Sequence, residues 1–237
     1  MIKPLRISGL VLALGLPIAA FAADHLDSPT AQSSNEPAAD ITDLYAWMTS
    51  DATKLNLVAA VDADAGENDT FSDAVIYQFA VSSSGSFGGP QESTLITCKF
   101  IDGTNIECWA GNEYVVGNPS DPDGIVSDNG GMRVFAGRRN DPFFLEYTGF
   151  LNAVDLANGA VAAGAVAFDD ADKGCPSLTP EQQGLLLGAL QSGDDGDPPT
   201  DTFEGQSVLA LVIQIDKTIV NSGGPVLGVS VSTYAAN

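Results

Sequence analysis

The chain has 237 residues, 31 acidic and 9 basic, for a formal net charge of −22. With 44% hydrophobic and 17% charged residues it can bury a core, which excludes a disordered acidic chain. The negative field repels phosphate, and no basic stretch offsets it, so the composition argues against nucleic-acid binding and against anionic membrane surfaces.

The first element is an export signal. Lys3 and Arg6 precede an apolar run from Leu10 to Ala20, and Ala20-Phe21-Ala22 has the form of a cleavage site. Cleavage after Ala22 removes residues 1–22 with two positive charges and no negative ones, taking the net charge from −22 to −24. The product is expected to be periplasmic or secreted, with no membrane insertion once the signal is gone. Residues 23–237 show no repeat and no break in composition, which predicts one domain.

Strands are expected at Leu55–Ala63, Ala74–Ser83, Thr94–Phe100, Ile106–Val116, Met132–Gly137, Ser207–Asp216 and Val226–Tyr234. Several are near-continuous apolar runs, as in strands buried on both faces. Helices are few. Thr179-Pro180-Glu181-Gln182 combines an N-cap, a first-turn proline and a capping-box Gln, and predicts a helix to about Gln191. Leu44–Met48 and Asp141–Leu145 read as short helical turns, and Val154–Phe168 as ambiguous. The fold class predicted is mainly β, an antiparallel β-sandwich or barrel-like domain with a few short helices.

Export implies an oxidising compartment, so cysteines are disulfide material. Cys98 and Cys108 are equidistant from Gly103 in an Asp102-Gly103 hairpin signal, which predicts a cross-strand disulfide and leaves Cys175 over.

The order of motifs carries a resemblance. The chain runs His25-Leu26-Asp27-Ser28-Pro29, then Ala39-Asp40-Ile41-Thr42-Asp43-Leu44-Tyr45-Ala46-Trp47, then Gly137-Arg138-Arg139-Asn140-Asp141-Pro142-Phe143-Phe144, and ends with the apolar run Pro225–Val231. This resembles the bacterial exported family called domain of unknown function 4331, with Asn140 where the family pattern has Asp. The resemblance implies export and a mainly-β fold, and carries no established activity.

Four groups of residues could carry chemistry. Asp62, Asp64, Asn68 and Asp69 space oxygen donors around Gly66, as a calcium loop requires, although Asp73 stands where an EF-hand would place Glu. Similar loops occur at Asp121-Pro122-Asp123-Gly124 with Asp128-Asn129-Gly130, and at Asp194-Asp195-Gly196-Asp197. Cleavage after Ala22 would start the mature chain Ala23-Asp24-His25, whose amine, two amide nitrogens and imidazole form a square-planar set for copper or nickel. His25, the single histidine, could instead fold inward towards Asp40 and Asp43, which otherwise read as helix caps. Arg138, Arg139 and Asp141 are candidates either for pinning a turn or for gripping an anionic ligand, and Phe143 and Phe144 read as core anchors.

No phosphate loop, nucleophile elbow or zinc-protease motif is present. The expected function is that of an exported non-catalytic protein that binds calcium structurally, and a ligand or protein partner besides. A copper- or nickel-binding protein and a carboxylate-based hydrolase are the alternatives.

Overall fold

Successive side chains of a strand point to opposite faces, so each apolar run puts every second residue into one interior. In the computed structural model, which describes residues 28–170, 175–193 and 196–236, the runs become two sheets packed face to face. The chain begins with α1 (Pro29–Ser34), a 3-10 turn (Pro37–Ala39), β1 (Ile41–Met48), β2 (Lys54–Val61) and β3 (Val75–Ser84). It continues through β4 (Gln91–Phe100), β5 (Ile106–Ala110), β6 (Glu113–Gly117), β7 (Ile125–Val126) and β8 (Met132–Asn140). Then come α2 (Tyr147–Ala162), β9 (Ala167–Asp170), β10 (Cys175–Ser177) and α3 (Pro180–Leu190). The last elements are β11 (Ser207–Asp216), α4 (Lys217–Val220) and β12 (Val226–Ala235).

One sheet has the order β1-β2-β11-β8-β7 and the other β12-β3-β4-β5-β6, with antiparallel pairing throughout. The fold is a β-sandwich, not a closed barrel. Leu57, Leu211 and Ile213 from the first sheet meet Tyr77, Phe79 and Ile96 from the second, all fully buried. β11 is central in its sheet, and Val208 and Ala210 on its second face are buried as well, which is why its sequence does not alternate. Phe71, Tyr77 and Phe100 close one end of the core, with Phe71 stacked on Phe100 at 4.6 Å between centroids.

Cys98 and Cys108 are register partners on β4 and β5, buried on the inner face and bonded, with Sγ atoms 2.07 Å apart. The turn between these strands is Asp102-Gly103-Thr104. Ile101 N–H donates to the Asn105 carbonyl, Gly103 takes φ +71°, and the Asp102 carboxylate accepts from the Thr104 and Asn105 amides.

Three expected elements differ. Leu44–Met48 is not a helical turn but part of β1, because its backbone pairs with β2 from Leu44↔Ala59 to Met48↔Leu55. Leu44 and Met48 pack on the core, while Tyr45 and Trp47 face out. Asp141–Leu145 is not helical: Asp141 Oδ1 accepts from the Phe143 amide at 2.8 Å, a local bond that competes with helix formation. The helix starts at Tyr147, capped by Glu146, and absorbs the start of the ambiguous Val154–Phe168 stretch. Ile106–Val116 is two strands, split by a turn at Gly111, where φ is +59°. The capping box of α3 forms as predicted, with Thr179 and Gln182 bonded reciprocally.

Everything between β8 and β11, two paired strands, is an insertion built on α2 and α3. Its root is polar and buried: Glu146 accepts from the Thr148 amide and from both the amide and hydroxyl of Thr200. Gly149 sits where a Cβ would lie 2.6 Å from the carbonyl oxygens of Ala189 and Ser192, so only glycine lets α2 approach the end of α3 here. No helix among the described residues is long and apolar enough to cross a membrane.

Candidate functional site

Two buried acids meet at one end of the sandwich. Asp40 ends the 3-10 turn, and Asp62 follows the last residue of β2; they are 2% and 5% exposed. The Asp62 amide donates to the Asp40 carbonyl at 3.1 Å, and the Ser28 amide donates to Asp40 Oδ1 at 3.3 Å. Asp62 and Asp64 both take the left-handed backbone conformation, with φ +60° and +62°. Asp tolerates that conformation better than most residues, but two in three positions need outside support. Ala65 supplies it: its amide donates to the Ser207 carbonyl at 2.6 Å, and its carbonyl accepts from Arg138 Nε at 2.7 Å.

The electrostatics follow from this geometry. Burial first, then the carboxylates of Asp69, Asp64, Asp40 and Glu36, push the Asp62 carboxyl up to about 6. Glu36 is held in place by the Ser72 hydroxyl, which donates to its Oε2 at 3.0 Å.

Asp64, Asn68 and Asp69 lie in the exposed part of this loop, and Asp69 Oδ2 accepts from the Gly66 amide at 2.7 Å. Of the four residues expected to form a calcium loop, Asp62 alone is buried, and its buried neighbour is Asp40. Among the described residues, no three His, Cys, Asp or Glu side chains form a group that could hold a metal ion. Asp40 does not cap a helix N-terminus, because a strand follows it, and Asp43 stands within that strand opposite Ala60. Ala23, Asp24, His25 and Asp27, like the segment 1–22 expected to be an export signal and Asp194 and Asp195, lie outside the described residues.

The two motifs behind the family resemblance converge on the outer face of the first sheet. Tyr45 and Trp47 of β1 line a cleft of about 290 Å³ with Arg139, Asn140 and Pro142, over a floor of Val58, Ala210 and Val212. The Arg139 guanidinium lies 4.2 Å from the Phe135 ring centroid, and its Nη1 donates to the Arg138 carbonyl at 2.8 Å. Arg138, by contrast, serves the Asp62 loop. Burial, followed by the carboxylates of Asp43 and Asp141, raises the Tyr45 phenol well above its ordinary range. Phe143 packs against Phe203 with centroids 5.7 Å apart, whereas Phe144 is 59% exposed and anchors no core.

Sequence reasoning missed two buried glutamates. Glu113 accepts from the Ser127 hydroxyl and the Gly131 amide, closing the turn between β7 and β8, and Glu146 roots the insertion. Glu113 has no local signal, because its partners lie 14 and 18 residues away; Glu146 has a local role as the cap of α2, but its bonds to Thr200 span 54 residues.

The fold and this end of it therefore define a β-sandwich with a buried acidic pair. No protein-family model matches the chain, and neither a curated protein nor a solved structure matches it.

Proposed function

We propose that this is an exported, non-catalytic binding protein whose acidic end takes a divalent cation, calcium first. The observation behind the reading is the Asp40–Asp62 pair, two buried carboxyl groups beside one backbone hydrogen bond. Burying a second carboxylate near a first costs free energy, and a bound cation offsets that cost. Hard oxygen donors of this kind suit calcium, with carbonyls and water completing its shell. The resemblance to the exported family and the signal at residues 1–22 support export.

Metal analysis of the purified mature protein tests the reading. Calcium should be retained through gel filtration and lost in the Asp40→Asn/Asp62→Asn variant. Copper or nickel in place of calcium, bound equally by that variant, would assign the metal to Ala23-Asp24-His25.

A further inference from the structure

Two open sheets have four edges, and three of those in the sandwich are blunted. β7 has two residues, β6 has five, and β1 is bulged between Ile41 and Asp43. β12 is the exception. It runs ten residues from Val226 to Ala235 in unbroken register with β3 and pairs with no other described strand. The Ala236 amide donates to the Ala74 carbonyl at 2.7 Å, one step beyond the pair Ala235↔Val75. Bonded and unbonded pairs alternate along an antiparallel ladder, so the even-numbered residues of β12 bond β3. Leu227, Val229, Val231, Thr233 and Ala235 turn their backbone N–H and C=O groups outward, and no described residue bonds those groups. The side chains of Leu227, Val229 and Val231 pack on the core yet are only half-buried. Val81 and Phe79, the register partners of the two valines, are fully buried, so water reaches the valines over the open edge.

We infer that this edge pairs with β12 of a second copy, antiparallel about a two-fold axis through Val231, joining two sheets into one. Charge selects the occupant. The chain carries 31 acidic and 9 basic side chains, yet positions 218–237 and 74–91 contain none of either. Those stretches hold β12, β3 and the turns at their shared end. A charged segment finds no counter-charge along this edge, whereas an uncharged strand of equal length meets no repulsion there. Glu36 and Asp73 lie at the Ala235 end of β12, and the two-fold sets that end against the uncharged turn 221–225 of the other copy. The residue order is also self-complementary. With Val231 opposite itself, Val229 meets Thr233 and Leu227 meets Ala235, so every outward-turned residue exchanges bonds. On the other face Ser230 meets Ser232, and Gly228 meets Tyr234. A Cβ added at Gly228 would touch nothing within 4 Å, and Tyr234 is 52% exposed. A tyrosine ring laid over a cross-strand glycine covers the backbone that glycine leaves bare.

Sedimentation velocity and amide hydrogen exchange on the mature protein, between about 1 and 100 μM, test the inference by mass action. The expected dimer is tighter in about 500 mM than in about 50 mM sodium chloride, because salt screens the acidic bodies. In the dimer the amides of Leu227, Val229, Val231 and Thr233 exchange slowly; on dilution they lose protection while their even-numbered neighbours keep it. Ser230→Lys/Ser232→Lys sets lysine against lysine across the axis and should be monomeric, as should Ser230→Glu/Ser232→Glu. An equimolar mixture of these two variants should dimerise again. Val116→Lys on β6, the opposite edge of the same sheet, should leave the dimer intact. A wild-type chain that stays monomeric at the top of the concentration range overturns the inference. So does a dimer whose outward amides exchange as fast as in dilute protein, or one that survives the lysine variant.

Discussion

The amide of Asp62 donates to the carbonyl of Asp40, and the side chains of both residues are buried. This contact joins a turn near the start of the described chain to the end of β2. It also places two carboxyl groups where water cannot screen them well. A cation at this end of the sandwich depends on that juxtaposition.

Calcium at millimolar concentration should raise the melting temperature by binding the folded state alone. Magnesium should do less, because it holds its own water shell tightly. Asp40→Asn/Asp62→Asn should abolish the calcium increment. If sodium chloride of matched ionic strength stabilises the wild type equally, the effect is charge screening and the cation site is absent.

Acid should act in two opposed ways on protein stripped of metal with a chelator. Asp62 has a folded-state value of about 6, above its ordinary 3.8, so its contribution is favourable below about 4 and is lost as pH rises through 6. Glu146 is held below its ordinary 4.5 by its bonds to Thr200 and Thr148, so its contribution is present above that value and lost as pH falls further. Thermal melts should therefore show a rise in stability from pH 7 to pH 5 and a fall at lower pH. Asp62→Asn should flatten the first limb, and Glu146→Gln should weaken the second. A wild-type melting temperature that falls steadily from pH 7 to pH 5 would contradict the assignment of Asp62.

Removing the buried disulfide should cost ~2–3 kcal/mol through the entropy of the released loop alone. Urea titration of Cys98→Ala/Cys108→Ala is the measurement. Peptide mapping of unreduced protein should recover the Cys98–Cys108 peptide, and a peptide linking Cys175 to either would contradict the pairing.

Arg138 and Arg139 should separate. Arg138→Ala removes the bond to the Ala65 carbonyl and should cost ~0.5–1.5 kcal/mol, since the arginine is itself exposed and water screens its charge. It should also weaken calcium binding, because Ala65 supports the left-handed turn at Asp62 and Asp64. Arg139→Ala loses a stacked, exposed side chain and should leave calcium affinity unchanged. Equal effects of the two substitutions on calcium would remove Arg138 from the support of the loop.

Phe143 and Phe144 should separate as well. Phe144→Ser should change stability by no more than ~0.5 kcal/mol, since the ring is exposed. Phe143→Ala should cost more, through its contact with Phe203 at the root of the insertion. Chemical denaturation of the two variants side by side decides it.

The sequence by itself determined the mainly-β antiparallel class, most strand positions, the Cys98–Cys108 pair and the capped start of α3, while the choice of an open sandwich over a barrel came from the sheet pairing. Each of these rests on short-range information: side chains alternating along a strand, a turn centred on Gly103, or a cap and its partner three residues apart. Position 44–48 defeated that reading because a single strand at a sheet edge looks like one turn of an amphipathic helix until its partner is known. Only β2, paired residue by residue, decides it. The same limit governs the candidate site. Local spacing grouped Asp62 with Asp64, Asn68 and Asp69, but burial paired it with Asp40, 22 positions earlier, and placed Arg138 behind the loop. A carboxylate's chemistry is set by how far it is removed from water and by which charges share its surroundings. Both are properties of the packed sheets, because a segment in isolation leaves every one of these side chains in solvent.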